Sequence, residues 1–262
     1  MLLGSVEISD LLDLVVRLED LSCFVEGLFE YLSVTGPQIK GAWKTLDLCN
    51  FSEVSPTLPI LQQEIEKRGW HFSNEKLQPA PYIPLPGDFN AYLASIDKKQ
   101  RHEIRRKMRR AEESATSVRW YFVDDEKSLQ READDFMTLM SNDTGKASFL
   151  TGSMRDQMRT TIESAFHAGW LQLAFMEVNG EKAAAYLNFD YDNRIWVYNS
   201  GIDRRFMEYS PGWVLLGHLL QWANENGRLE FDFMRGGEEY KYRFGAVNRF
   251  VVRAVVRRPA AV

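Results

Sequence analysis

Cysteine and histidine are scarce in this chain, which has only Cys23 and Cys49, and His71, His102, His167 and His218, in 262 residues. Two cysteines cannot build a disulfide framework. No CxxC, HxH or HxxxH spacing occurs, so the common metal sites have no ligand set and no metal is expected. Both cysteines are expected in the core as small apolar residues. No apolar run approaches the ~18 residues of a membrane span. The opening "MLLGSVEISD" has acids where a signal peptide needs a basic flank, so a cytoplasmic protein is expected. There is no low-complexity segment.

What is present suits a folded globular protein, with 45% hydrophobic and 26% charged residues. The length fits one to two domains. Charge is unevenly spread. Lys98 to Arg110 holds eight basic residues against one acid, a local +7 in a chain whose net charge is −5. A solvated face is the plain reading of that run; phosphate of a carrier, a phosphorylated or lipid-linked sugar, or tRNA is the functional one. Aromatic residues do not interleave with it, which speaks against single-stranded RNA.

The first 85 residues alternate strand and helix signals. Strands are expected near Leu12, over "AWKTLDLCN" and from Trp70. A helix runs from Asp20 to Ser33 with apolar residues at helical spacing, and another follows Ser55-Pro56 and stops at Gly69. Four prolines between Pro79 and Asp88 suit neither a helix nor a central strand, and mark a linker over 79–87. Beyond it one or two helices span Asp88 to Glu113. "VRWYFV" reads as a strand, and helices follow at Glu126–Met140 and Ser153–His167. Three strands, "WLQLAFMEV", "KAAAYLNFDY" and "RIWVYNSGI", form an antiparallel meander with turns at Asn179-Gly180 and Asp192-Asn193. A helix from Pro211 to Asn226 has Ser210 as cap and Gly227 as stop. "LEFDF" and "RFVVRAVV" are the last strands.

Two stretches carry candidate chemistry. A meander that hands over to a helix N-terminus presents backbone N–H groups and the positive end of the helix dipole, which suits phosphate. Gly212 would let a ligand approach the backbone there; a well-capped helix that binds nothing is the alternative. The second stretch is "FDFMRGGEEYKYRFGA". Phe231 and Phe233 face one side and Asp232 the other, and Gly236-Gly237 ends the strand and turns Glu238, Tyr240, Lys241 and Arg243 outward. A salt-bridged loop without function is the alternative here.

"YSPGWVLL" followed by "FDFMRGGEEYKYRFGA" resembles the BioF2-like acetyltransferases, a family that includes the cellulose-biosynthesis protein CelD, belongs to the GNAT superfamily and is related to the FemABX aminoacyltransferases. The family's aspartate strand, glycine, Tyr-Lys pair and aromatic-glycine step are met by Asp232, Gly236, Tyr240, Lys241, Phe244 and Gly245. The resemblance covers Leu11 to about Val256. It implies an α/β (α+β) GNAT fold, a mixed sheet with an antiparallel meander. Residues 88–262 would form a complete acyltransferase domain, preceded by an incomplete GNAT-like half over 1–78 that a partner or a missing segment would complete.

The resemblance further implies transfer of an acyl group from acyl-CoA, such as acetyl-CoA, to an amine, an amino sugar or another small amine of polysaccharide or envelope biosynthesis. Alternatives are a FemABX-type transferase using aminoacyl-tRNA bound on the basic helix 98–110, and a degenerate GNAT-like domain that only binds a partner. Lys241, Asp232 and Glu238 are the expected catalytic residues. Tyr209, Ser210, Gly212, Arg205 and Arg235 would bind the carrier, and Tyr240 and Arg243 the acceptor.

Overall fold

The computed structural model describes residues 8–35 and 43–259. The acidic opening Met1–Glu7, the segment 36–42, which includes the Ala42 of the second expected strand, and residues 260–262 lie outside them. In chain order the elements are α1 (Leu21–Thr35), β1 (Thr45–Ser52), α2 (Thr57–Lys67), β2 (His71–Pro84), α3 (Phe89–Ser95), α4 (Lys98–Glu112), β3 (Val118–Phe122) and α5 (Glu126–Met140). There follow α6 (Thr144–Phe149), α7 (Gly152–His167), β4 (Leu171–Val178), β5 (Glu181–Tyr191), β6 (Arg194–Ile202), α8 (Pro211–Glu225), β7 (Glu230–Asp232), α9 (Glu239–Arg243) and β8 (Val247–Arg257).

Contacts divide the chain into two units. The first comprises Met1–Pro81, Arg235–Gly237 and Asn248–Val262. In it β1 pairs antiparallel with β8, and α1 and α2 cover the strands through Val25, Phe29, Leu61, Ile65, Phe51 and Val252. Three expectations change here. The segment near Leu12 is no strand: it runs irregularly to a short 3-10 turn at Leu18–Asp20, held through Asp13, which accepts from Ser55 and Thr57. The proline-rich segment is the end of β2. Pro79 and Pro81 are two residues apart, so their missing N–H groups fall on one side of the strand, and Pro84, which lacks a donor on the other side, is its last residue. Cys23 is exposed and Cys49 half-buried, because Cys23 falls on the outer face of α1, opposite Leu21 and Val25.

The second unit comprises Tyr82–Met234 and Glu238–Val247. Its strands lie in the order β2-β7-β6-β5-β4-β3. The meander forms as its turns dictate. Asn179, Gly180, Asp192 and Asn193 all have positive φ, from 52° to 81°, the left-handed pair that matches strand twist. β4 is buried along almost its whole length because both faces are covered. Leu173 and Phe175 face α5 and α7, whereas Ala174 and Met176 face α4 and α8. Tyr186 on β5 falls on the α4 and α8 side. The basic run is α4, capped by Asp97, which accepts from Lys99 and Gln100 N–H. Only Ile104, Met108 and Ala111 of α4 are buried. Among the described residues no helix is long and apolar enough to cross a membrane, and no group of three metal-ligating side chains occurs.

One pairing positions the site. β6 and β7 are parallel and matched only over Arg194–Trp196 and Glu230–Asp232. β6 continues to Ile202 along β5, whereas β7 ends and the chain turns at Met234 with a φ of 54°. The two strands therefore part, leaving a notch beside the second half of β6.

Candidate active site

The notch is a cavity of about 260 Å³. Ser200 and Ile202 of β6 form one wall, Tyr186 the floor, the start of α8 from Ser210 to Trp213 a second wall, and Tyr240 and Phe244 of the α9 turn the third. The ring centroids of Trp213 and Phe244 are 4.6 Å apart. Tyr92 on α3 donates its hydroxyl to Phe244 O at 2.7 Å and fixes that turn. Lys107 of α4 also lines the cavity, with its ammonium 4.4 Å from the centre of the Trp213 ring and 3.4 Å from Glu103. Burial raises the Tyr186 and Tyr240 phenols well above their ordinary range, so both stay protonated at neutral pH.

Behind Tyr240 lies a cluster of charge. Lys241 is 3% exposed; its Nζ donates to Phe233 O at 3.3 Å and lies 2.7 Å from Glu238 Oε2. The expected outward turn therefore holds for Glu238 and Arg243 and fails for Lys241. The stretch coils into α9, and a helix turn that sends Glu239 and Arg243 to solvent sends Lys241 inward. Lys146, on α6, donates to Ser200 O at 2.6 Å in the cavity wall. Desolvation lowers its ammonium, with Lys241 adding repulsion and Asp143 and Glu238 opposing. Burial acts to raise the Glu238 carboxyl, but the hydrogen bond and charge of Lys241 outweigh it, and the group is held below the ordinary glutamate range.

Of the residues singled out in the sequence, Ser210, Gly212 and Tyr240 meet in this cavity, with Lys241 and Glu238 joined next to it. Asp232 is buried at the end of β7 and accepts from Met234 N–H at 2.6 Å. Tyr209 shares a hydroxyl contact of 3.1 Å with Thr116 and lines a groove with Arg106, Arg109 and Arg110. Arg243 pairs with Glu239 and lines a second groove with Lys99, Arg106 and Lys107, which joins the cavity at Lys107 and Trp213. Arg205 pairs with Asp203 and Glu181. Arg235 belongs to the first unit, where it binds Asp10 at 2.7 Å.

Two local expectations differ. Ser210 caps α8 with its backbone, since it has a φ of 50° and its side chain makes no cap bond. Its carbonyl already accepts from Trp213 and Val214 N–H, and Pro211 has no N–H, so Gly212 is left as the donor of this helix end. The space that Gly212 opens is taken by a neighbour: an added Cβ would lie 2.5 Å from Ile202 Cδ1. Sequence reasoning did not single out Tyr186, Trp213, Lys107 or Lys146. Lys107 was legible within the basic run, whereas Tyr186 follows three alanines in an ordinary strand and carries no signal of its own.

β6 and β7 thus form a parallel pair that parts beside the N-terminus of α8. The acetyltransferase (GNAT) domain model matches residues 98–242, and the chain belongs to that family. Among solved structures, FemX is similar at 12% identity with a TM-score of 0.59, over 90% of this chain and 77% of that one. L-PGS from Bacillus licheniformis is similar at 12% identity and a TM-score of 0.59, over 94% and 76%. A conserved protein of unknown function from Bacteroides thetaiotaomicron matches at 12% identity and 0.58, over 89% and 75%. These likenesses concern the fold. No functionally curated protein matches the chain.

Proposed function

We propose that the chain is an N-acyltransferase that moves an acyl group from acyl-CoA to an amine, an amino sugar or another small amine of polysaccharide or envelope biosynthesis. The observation that carries this reading is the cavity where β6 and β7 part, walled by the start of α8. A thioester entering along β6 would bring its acyl group against Tyr186 and Tyr240. Gly212 N–H and the basic groove at Lys107, Arg106 and Arg243 suit its phosphates. Tyr209 and Ser210 belong to the same carrier-binding reading; Arg205 and Arg235, already paired with carboxylates, fit it less directly.

The attacking amine must lose a proton, and the carbonyl oxygen gains charge in the transition state. Glu238 is the ionised carboxylate next to the cavity and is assigned the proton, directly or through water. Lys241 is assigned the developing negative charge, with Asp232 holding the Met234 turn that precedes it. A cytoplasmic setting belongs to the same proposal.

A thermal-shift titration with CoA, acetyl-CoA and tRNA tests the donor, since a ligand that binds only the folded state raises the melting midpoint. A rise with CoA thioesters supports the proposal, and its absence removes it. A second reading, aminoacyl-tRNA as donor, is favoured by the outward arginines of α4, Arg109 and Arg110, in the groove with Tyr209. It requires tRNA binding that falls steeply with salt and is lost when Arg105, Arg106, Arg109 and Arg110 become glutamate.

A further inference from the structure

The cavity is apolar in most of its wall yet is lined by side chains that carry hydrogen-bonding groups. Tyr186 is 3% exposed, and among the described residues its hydroxyl has no hydrogen-bond partner. The same holds for the Tyr240 hydroxyl. The two rings line one cavity, near enough for the ionised phenols to repel. The Trp213 indole N–H is buried and meets no acceptor among the described residues. Two hydroxyls, from β5 and α9, thus share one space, and the indole N–H of α8 lies buried behind its wall. No carboxylate lines it, and the charged group that does is Lys107.

An occupant must displace solvent from these donors. A plain hydrocarbon acyl group would leave them desolvated without a partner, at about 1–3 kcal/mol for each group. An oxygen on the acyl chain would restore the bonds. A free ammonium would meet a like charge, Lys107, in a wall that holds no carboxylate, which is unfavourable in a desolvated site.

We infer that the cavity selects acyl groups bearing a second acceptor oxygen beyond the reacting carbonyl, such as hydroxyacyl groups, through Tyr186 and Tyr240, and discriminates against aminoacyl groups. This rests on the reading of acyl-CoA as donor. It narrows the substrate class of the site to a polar, uncharged or anionic acyl chain longer than acetyl.

Isothermal titration of the full chain with three thioesters of one chain length tests it: butyryl-CoA, 3-hydroxybutyryl-CoA and 3-aminobutyryl-CoA. The hydroxyl form is expected to bind on the order of tenfold more tightly than butyryl-CoA, as a hydrogen bond to a desolvated donor would give. The ammonium form is expected to bind no more tightly than butyryl-CoA. Tyr186→Phe, which keeps the ring, should close most of the gap between the hydroxyl and plain forms, and Tyr240→Phe is the second variant should the first be unstable. Equal binding of the three, tightest binding of the ammonium form, or a gap that survives in both variants overturns the inference and leaves the acyl-CoA reading intact. Absence of binding by any thioester, CoA included, overturns that reading and the inference with it.

Discussion

Lys241 Nζ lies 2.7 Å from Glu238 Oε2, but the two side chains are unequally buried, at 4% and 57% exposure. Their removal is therefore not symmetric. Lys241→Met leaves a carboxylate that water can solvate, whereas Glu238→Ala leaves an ammonium that it cannot reach. Lys241 keeps its bond to Phe233 O in Glu238→Ala, and that variant is expected to lower stability more than Lys241→Met, as read from urea unfolding. Turnover should fall in both, since Glu238 is assigned the amine proton. If Lys241 serves the charge that develops on the reacting carbonyl, Lys241→Met loses a factor of about 10² or more in kcat with donor affinity nearly unchanged. A variant with wild-type turnover and affinity would leave Lys241 only a structural ion pair.

A second asymmetric pair lies on the opposite face of the sheet. Lys182 on β5 contacts both Glu132 and Asp135 of α5, and Glu132 is buried while the Asp135 side chain is 42% exposed. Lys182→Met should cost about 3 kcal/mol because Glu132 loses its nearest cation in a desolvated place. Asp135→Asn should cost no more than about 1 kcal/mol, the range of exposed pairs. Equal losses would mean that Arg131, which also reaches Glu132, carries the compensation alone.

His218 on α8 stacks on Trp120 with ring centroids 5.2 Å apart. Burial lowers its pKa from the ordinary 6.5 to about 4. Between those values the unfolded chain takes up a proton that the folded chain refuses. The stability contributed by the neutral imidazole is complete above about pH 6.5 and is lost as pH falls toward 4, by about 2 kcal/mol at pH 5. His218→Phe keeps the stack and removes the titration. Its melting midpoint should fall less between pH 7 and pH 5 than that of the parent; an equal fall would assign the acid sensitivity to other groups.

Much of the second unit was legible in the sequence because its signals are local. Asn179-Gly180 and Asp192-Asn193 fix two turns by backbone sterics alone, and Ser210-Pro211 and Gly227 bound one helix. The site was legible only in part. Tyr240 and Lys241 were found through a motif, but the inward turn of Lys241 depends on α9, a helix of five residues with no periodicity to read. Lys146 reaches Ser200 across 54 positions in sequence, a relationship that only the packed fold creates. The prolines of β2 misled for a physical reason, since composition reports the missing N–H groups and not the side of the strand on which they fall.

Gly212 and Ile202 make the last test of where the donor lies. Both line the cavity, and a Cβ on residue 212 would stand 2.5 Å from Ile202 Cδ1 and 3.3 Å from Ile202 Cγ1. The first distance is a clash, the second a tight contact. Because Cδ1 ends a flexible side chain, Gly212→Ala should fold at a cost of about 1 kcal/mol, with the Ile202 methyl pushed into the space that the acyl group needs. Donor affinity is expected to fall about tenfold, equivalent to about 1.4 kcal/mol. Adding Ile202→Val removes the clashing methyl and should restore most of the affinity, which a general disturbance of the α8 start could not do. Calorimetric titration with acetyl-CoA reads both effects. Unchanged affinity in Gly212→Ala places the donor outside this cavity, and a loss that Ile202→Val does not repair traces the effect to the helix end rather than to the wall it shares with β6.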